Sequence, residues 1–161
     1  LTALVLSGFL KPSMEGVNIV SAPARAKERG ITVAETKREK SKDFLTLVRV
    51  TVTGKSGSHT VAGSIFGGEQ ARLVAVDNVP VEAQLDGEML YIKNHDKPGL
   101  VGAVGTLLGN ANINIADFNL GRIPGKNKAI ALISLDGAVD GKITDAIDAL
   151  EQVELVKVLR F

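Results

Sequence analysis

Residues 90–122 read LYIKNHDKPGLVGAVGTLLGNANINIADFNLGR. The segment starts with an apolar stretch of strand length, passes through a Pro-Gly pair into a longer apolar run, and ends in alternating apolar and polar residues. Proline suits the first turn of a helix, where its missing N–H would have no partner, so the longer run is predicted to be a helix. The segment is therefore predicted to be a strand–helix–strand unit.

The same alternation of periods extends over residues 86–161. A third strand (KNKAIALISLDG), an amphipathic helix (DGKITDAIDALEQ) and a last strand (VELVKVLRF) follow the quoted segment. The resulting order, βαββαβ, is that of the ferredoxin-like fold. Right-handed crossovers place both helices on one face of a four-stranded antiparallel sheet, and the other face must be covered or lie in water.

Residues 1–85 are predicted to form a separate mixed α/β domain, so the whole chain belongs to the α+β class. Two helical stretches (LTALVLSGFL and VNIVSAPARAKERG) precede a short strand around ITVAETK and the charged connection REKSKD. From Phe44 onward the apolar period is two, which predicts two hairpins, one turning at GKSG and the other at Asp77 and Asn78. Because the chain begins with Leu1 inside an apolar pattern, we expect this domain to be truncated at its start.

Composition argues against several classes of function. The chain has 161 residues, 45% of them apolar and only 4% aromatic, and its formal net charge is +1. The sequence has neither the basic patch nor the stacking aromatic residues that nucleic-acid binding requires. The apolar segment at its start is too short to cross a membrane. There is no cysteine, and His59 and His95 have no second ligand near them in sequence, so no metal site is expected. We expect a cytoplasmic protein that binds neither nucleic acid nor membrane.

Three glycines, Gly99, Gly102 and Gly105, are spaced three residues apart. A dinucleotide-binding loop needs G-x-G-x-x-G in the turn between a strand and a helix, with an acidic residue about twenty positions later. Here the glycines fall inside the predicted helix and share one of its faces. Close packing of that face against another backbone is therefore expected, and a dinucleotide site is not.

The start of the predicted helix has the chemistry of a small zwitterion site. Pro98 lies in the first turn, so the free amides from Gly99 onward suit a carboxylate. Asn94 and Asp96 end the preceding strand two residues apart and point the same way, which brings a negative charge near those amides. A free amino acid, with one carboxylate and one ammonium group, meets both needs. Alternatively, Asp96 could simply cap the helix, and the sequence leaves both interpretations open.

These segments carry a family resemblance. The quoted segment, within its βαββαβ order, resembles an ACT domain, the amino-acid-sensing module of metabolic enzymes. Upstream, NIVSAPARAKERGITVAETK, the Val-rich hairpin and SIFGG resemble the intervening, allosteric substrate-binding-like domain that precedes ACT in long D-3-phosphoglycerate dehydrogenases. The resemblance implies the C-terminal regulatory region of such an enzyme, with the intervening domain over residues 1–85 and the ACT domain over residues 86–161.

The resemblance also implies an effector and its binding residues. L-serine, or a similar small amino acid, is expected to bind between two ACT domains packed edge to edge in a homo-oligomer, and to lower dehydrogenase activity as a feedback effector. In some relatives the upstream domain binds phosphate or substrate through basic residues, and Arg72 alone matches that pattern as a possible anion site. The family's effector motif falls on Asn94, Asp96, Lys97, Pro98, Gly99 and Leu100, with Asn114 contributed across the interface.

The chain alone is expected to be non-catalytic, because it has neither a Rossmann fingerprint nor a catalytic histidine–acid arrangement. The resemblance implies that the NAD-dependent oxidation of 3-phosphoglycerate to 3-phosphohydroxypyruvate, the first step of L-serine biosynthesis, belongs to an N-terminal part outside this sequence, together with the NAD site. Two alternatives remain. One is the β part of a bacterial L-serine dehydratase, although a chain without cysteine could not ligate that family's iron-sulfur cluster. The other is a purely structural dimerisation module.

Overall fold

The computed structural model describes residues 1–37 and 44–161. The chain divides into two compact units, Leu1–Lys42 and Asp43–Phe161. The predicted connection REKSKD lies outside the described residues. The predicted domain boundary between residues 85 and 86 falls inside the larger unit, in the segment that joins its two sheets.

The smaller unit is a pair of short helices with its own apolar cluster. Ala22 and Ala26 are almost completely buried, and their small side chains let the two helices pack closely around Leu6 and Leu10. Gly30, with a φ of 68°, is the last residue of the predicted helical stretch and lies just past the end of the second helix. The elements are α1 (Thr2–Leu10), a 3₁₀ turn (Lys11–Ser13) and α2 (Ala22–Glu28).

The strand predicted around ITVAETK is wrong. Residues 31–37 have no regular secondary structure, and all but Ile31 are exposed. Within the part of the chain that the structure describes, no neighbouring strand pairs with this segment. Alternation of apolar and polar residues favours a strand only where a partner satisfies the backbone, because a lone strand leaves its N–H and C=O groups to water.

The first sheet of the larger unit is an antiparallel meander, and both predicted hairpins are present. Asp77 and Asn78 turn the second hairpin with φ values of 49° and 63°. Positive φ at both central residues is what a two-residue type I′ turn requires, and Asn and Asp tolerate it better than other side chains. The strands are β1 (Val48–Gly54), β2 (Gly57–Phe66), β3 (Gln70–Val76) and β4 (Val79–Gln84).

The second sheet confirms the predicted ferredoxin-like order. Its strands are arranged β6-β7-β5-β8, all antiparallel, and are connected through two helices. None of the helices in the described residues is both long and apolar enough to span a membrane. The elements are β5 (Glu88–His95), α3 (Leu100–Asn110), β6 (Ile115–Arg122), β7 (Lys128–Leu135), α4 (Gly141–Asp148) and β8 (Val153–Arg160).

Helices α3 and α4 cover one side of this second sheet, which we call the helix side. Leu90 and Ile92 of β5 pack there against Val104 and Leu108 of α3 and against Ile147 of α4, and all five side chains are fully buried. Burial of this kind contributes about 1.5–3 kcal/mol for each large apolar side chain. The core of the second sheet therefore holds the end of β5 and the start of α3 in place.

The opposite side, which we call the far side, is covered in part by β4. Val79 and Val81 pack against Met89 of β5 and Ile130 of β7. Gly121 of β6 lies directly under β4, because a Cβ added there would stand 2.6 Å from the carbonyl oxygen of Pro80. The two sheets of the larger unit are thus joined by a close contact that only glycine permits at this position.

Candidate functional site

The candidate site lies at one end of the second sheet, where β5 leads into α3. Asn94 of β5 pairs with Ala129 of β7, and Ala129 pairs with Arg122 of β6. Directly opposed residues of a sheet share a side, and Asn94 shares its side with Leu90 and Ile92. Asn94 and Arg122 therefore both belong to the helix side, at the same end of the sheet.

Asn94 is a buried polar residue with an unsatisfied group. Its relative exposure is 2%, and within the described residues its Nδ2 atom has no hydrogen-bond partner. A buried amide donor without a partner costs about 1–3 kcal/mol, so such groups usually meet a ligand or an ordered water. The residue lies on the side of the sheet that carries α3, two positions before Asp96.

Helix α3 begins at Leu100, slightly later than the sequence predicts. Pro98 was expected in its first turn, but Gly99 has a φ of 101°, which is incompatible with a helical residue, and it serves as the N-cap. Asp96 does not cap the helix, since α3 has no side-chain cap hydrogen bond. The first internal bond runs from the amide of Ala103 to the carbonyl of Gly99. Among the described residues, the amides of Leu100 to Gly102 find no acceptor, so this end of α3 favours an anion.

The three glycines Gly99, Gly102 and Gly105, which we call the glycine strip, were predicted to pack closely against another backbone. The described part of this chain provides no such backbone. In the described part of the protein, no other group lies within 4 Å of the position that a Cβ would take at Gly102 or Gly105. Gly99 differs, because its positive φ is needed for the turn into α3, and the amide Nε2 of Gln152 lies close to it. The strip is therefore open, and only its first glycine has a structural role within the chain.

Charged side chains surround the start of α3. Asp96 Oδ2 lies 3.0 Å from Nε of Arg122, and Lys97 Nζ lies 3.3 Å from Oε1 of Glu151. Arg122, which stands at the end of the next strand in sequence, was not among the predicted site residues. The ferredoxin-like order could have revealed Arg122, because β6 runs in the same direction as β5 and both strands therefore end at the same end of the sheet.

Asn114 lies at the other end of the sheet. It precedes β6, whose first residue Ile115 pairs with Leu135, and Leu135 also pairs with Glu88 at the start of β5. At about 3.3 Å per residue, Asn114 is roughly 25 Å from the end of β6 that faces Asn94. Its exposed Nδ2 donates to Oδ2 of Asp136 at 2.6 Å. One copy of the chain therefore does not bring Asn114 to the other predicted residues.

Arg72, the possible anion site, lies on β3 of the first sheet. Its guanidinium forms an ion pair with Glu82 on the neighbouring strand and donates to Gln70 Oε1 at 3.3 Å. It also stacks over the ring of Phe66, with 5.5 Å between the guanidinium carbon and the ring centroid. An anion that binds here would have to compete with the carboxylate of Glu82.

The far side of the second sheet carries a different polar cluster. Asp77, in the turn between β3 and β4, accepts from the amide of Thr60 at 2.9 Å and lies 3.1 Å from His59 Nδ1 and 3.3 Å from Lys93 Nζ. Burial raises the pKa of Asp77, but these three partners outweigh it, so the pKa lies below its usual value. Lys93 belongs to β5, so this cluster links the two sheets of the larger unit.

His95 follows the same alternation and lies on the far side, away from Asn94. Its Nδ1 is 3.3 Å from Glu154, which also receives a hydrogen bond from Lys128. The bond from Lys128 is the largest of the effects that together lower the pKa of Glu154. Within residues 1–37 and 44–161, no group of three or more acidic or histidine side chains is arranged to hold a metal ion.

Comparison with known proteins agrees with this architecture. Residues 1–77 match the D-3-phosphoglycerate dehydrogenase intervening domain, and residues 89–152 match the ACT domain. Similar proteins named D-3-phosphoglycerate dehydrogenase occur in Synechocystis sp. (35% identity over 90% of this chain and 26% of the relative) and Bacillus subtilis (32%, over 99% and 30%). Another occurs in Archaeoglobus fulgidus (37%, over 83% and 25%).

The chain spans between a quarter and a third of the length of these relatives. The first match covers the helical unit and strands β1 to β3, the second covers most of the βαββαβ segment up to the start of β8, and the two run in the order predicted from the sequence. Residues 1–77 therefore belong to the D-3-phosphoglycerate dehydrogenase intervening-domain family, and residues 89–152 belong to the ACT-domain family.

Proposed function

We propose that this chain is the regulatory region of a D-3-phosphoglycerate dehydrogenase and that it binds L-serine at the start of α3. The observation that carries the proposal is the buried Nδ2 of Asn94, which has no partner in residues 1–37 and 44–161, at the end of the sheet where α3 begins without a side-chain cap from these residues. A buried donor without an acceptor is unfavourable, and a ligand that accepts a hydrogen bond from Nδ2 would remove that cost.

The chemistry of the site favours a free amino acid. The amides that open α3 would bind the carboxylate, as helix N-termini bind anions, and Leu100 would contribute one of them. Asp96 would bind the ammonium group, and Nδ2 of Asn94 would donate to an oxygen of the ligand. Pro98 and the positive φ of Gly99 would keep the connecting turn in shape, while Lys97 at the rim adds a positive charge.

A second copy of the chain would complete the site. Among the described residues, β6 has a neighbouring strand on one side only, so its outer side could pair with the same strand of another copy. Two-fold pairing of β6 with itself is antiparallel, which would bring Asn114 of one copy beside the Asn94 end of the other. ACT domains generally bind amino acids and form oligomers, which supports this arrangement.

Serine binding would act as feedback control on the parent enzyme. We propose that the NAD-dependent oxidation of 3-phosphoglycerate takes place in a part of the enzyme outside this sequence, and that bound serine favours its less active arrangement. Coupling between sites of this kind is typically worth about 1–3 kcal/mol. The relatives described above are named as dehydrogenases, which supports this interpretation over a serine dehydratase.

Calorimetric titration with L-serine tests the ligand. We expect heat of binding for L-serine, and a loss of affinity of about tenfold or more in Asp96→Asn, because a hydrogen bond to a charged group is worth about 1.5–3 kcal/mol. Asp145→Asn, which makes the same change on the exposed surface of α4, serves as the matched control. Absence of heat with serine, glycine and the other small amino acids would leave only the structural dimerisation module.

Calorimetric titration with L-serine, combined with sedimentation, tests whether a second copy of the chain completes the site. Asn114→Ala is expected to weaken serine binding while the far-ultraviolet circular dichroism stays unchanged, since the residue is exposed and precedes β6. Serine should also shift the chain toward dimers. Unchanged affinity in Asn114→Ala would remove this residue from the site.

A further inference from the structure

The ion pair between Asp96 and Arg122 occupies the same carboxylate that the proposed function assigns to the ligand. Nε of Arg122 lies 3.0 Å from Oδ2 of Asp96, and both residues are at the Asn94 end of the sheet. Within residues 1–37 and 44–161, Asp96 is the only carboxylate within 4.0 Å of the Arg122 guanidinium. In the free chain, the negative charge of the site is thus already neutralised from within.

We propose that Arg122 is a specificity-determining residue of the effector site, because its guanidinium competes with the ligand's ammonium group for Asp96. The inference rests on the proposed function, since it concerns the same site. When a ligand with an ammonium group binds, its positive charge replaces that of Arg122, so Asp96 remains paired with a cation. A hydroxy acid offers no such replacement, so it would leave Arg122 in position and gain only the amide contacts at α3.

The ion pair between Arg122 and Asp96 is of a kind that a ligand can displace. The Arg122 side chain is 74% exposed, and among the described residues no well-aligned hydrogen bond joins its guanidinium to Asp96, so the pair lacks the two parallel bonds of the strongest arginine–carboxylate contacts. Solvent-exposed pairs of this type are weak. The Asp96 side chain, by contrast, is only 28% exposed, so it has less room to move than the side chain of Arg122.

Arg122 also connects the site to the rest of the molecule. The preceding residue, Gly121, is the one that lies under β4, and Arg122 itself ends the edge strand β6. A ligand that releases Arg122 from Asp96 would therefore change the contacts at the end of the strand on which the first sheet rests.

Titration calorimetry on variants of the 161-residue chain tests the inference, with L-serine and D-glycerate as the two probes. Arg122→Gln is expected to tighten binding of L-serine about two- to fivefold, the range that corresponds to a weak surface pair. The affinity for D-glycerate should not increase. Arg122→Lys, which retains the charge, should give an affinity for serine closer to that of the unchanged chain.

Lys126→Gln is the matched control, because it removes one exposed positive charge near the same end of the sheet. An unchanged or weaker serine affinity in Arg122→Gln would overturn the role of Arg122 while serine binding by the unchanged chain still supports the proposed function. Equal tightening in Lys126→Gln would show a general effect of charge and would also overturn it. If no variant binds serine, both the inference and the proposed function fail.

Discussion

The two four-stranded sheets of the larger unit are built from similar numbers of residues but are packed very differently. In β7, a central strand of the second sheet, five consecutive residues from Ala129 to Ile133 are buried, because helices cover one side and β4 covers the other. In β1 of the first sheet, six of seven residues are exposed. Strand number and pairing alone therefore do not set stability, since coverage of the sheet faces differs between them.

The largest expected contrast comes from matched isoleucines in the two sheets. Ile133→Ala in β7 should lower the free energy of unfolding by about 2–5 kcal/mol, since the side chain is fully buried and its removal leaves a cavity. Ile65→Ala in β2, where the residue is 44% exposed, should cost about 1 kcal/mol or less. Urea denaturation measures both values. Equal losses would mean that the first sheet is covered in solution.

The contact between the sheets can be tested with glycines. Gly121→Ala should destabilise the protein by about 1–3 kcal/mol, because the new methyl group would collide with the backbone of Pro80. Gly102→Ala, on the open strip of α3, should stabilise it by up to about 1 kcal/mol through helix propensity. Thermal unfolding of both variants shows whether each substitution stabilises or destabilises the protein. A stabilised Gly121→Ala variant would show that β4 does not rest on β6.

The smallest effect concerns the polar link between the sheets. The pKa of Asp77 is lowered in the folded protein, so its stabilising contribution exists above its unfolded pKa of about 3.9 and disappears as the pH falls through the folded value. Asp77→Asn should therefore cost about 1 kcal/mol or less at pH 7, because solvent screens a partly exposed cluster.

Urea titrations of Asp77→Asn and the unchanged chain at pH 7 and pH 3 test this expectation. The difference between the two proteins should be smaller at the lower pH, because the contribution of a group with a lowered pKa declines once the pH falls below its unfolded pKa. Asp145→Asn, on the exposed surface of α4, is the control and should show little dependence on pH. A difference as large at pH 3 as at pH 7 would assign the effect to the shape of the turn and not to the charge of Asp77.

Local signals in the sequence predict much of this architecture. The switch between periods of two and of about 3.6 predicts every element of the second sheet, and the Asp77–Asn78 pair predicts its hairpin. Features that depend on distant residues escaped prediction. The segment at residues 31–37 alternates like a strand but has no partner strand among the described residues. Strand order places Arg122 at the same end of the sheet as Asp96, but their direct pairing also needs the register of three strands.

The candidate site was predictable to a similar degree. Asn94, Asp96 and the start of α3 are near one another in sequence, so strand alternation and helix chemistry were sufficient to group them. The lack of a partner for Nδ2 of Asn94 among the described residues depends on the packing of the core around it, which the local sequence does not reveal. The later start of α3 at Leu100 depends on the backbone angle of Gly99, which allows several conformations.

The position of Asn114, at the opposite end of the sheet from Asn94, has a consequence for how such a molecule would respond in a cell. A pocket that needs both asparagines has to be assembled from two chains, so its apparent affinity depends on how much protein is present as well as on how much ligand. At low abundance the proposed pockets would be mostly unformed, and a response to the ligand would appear only once the chain had accumulated.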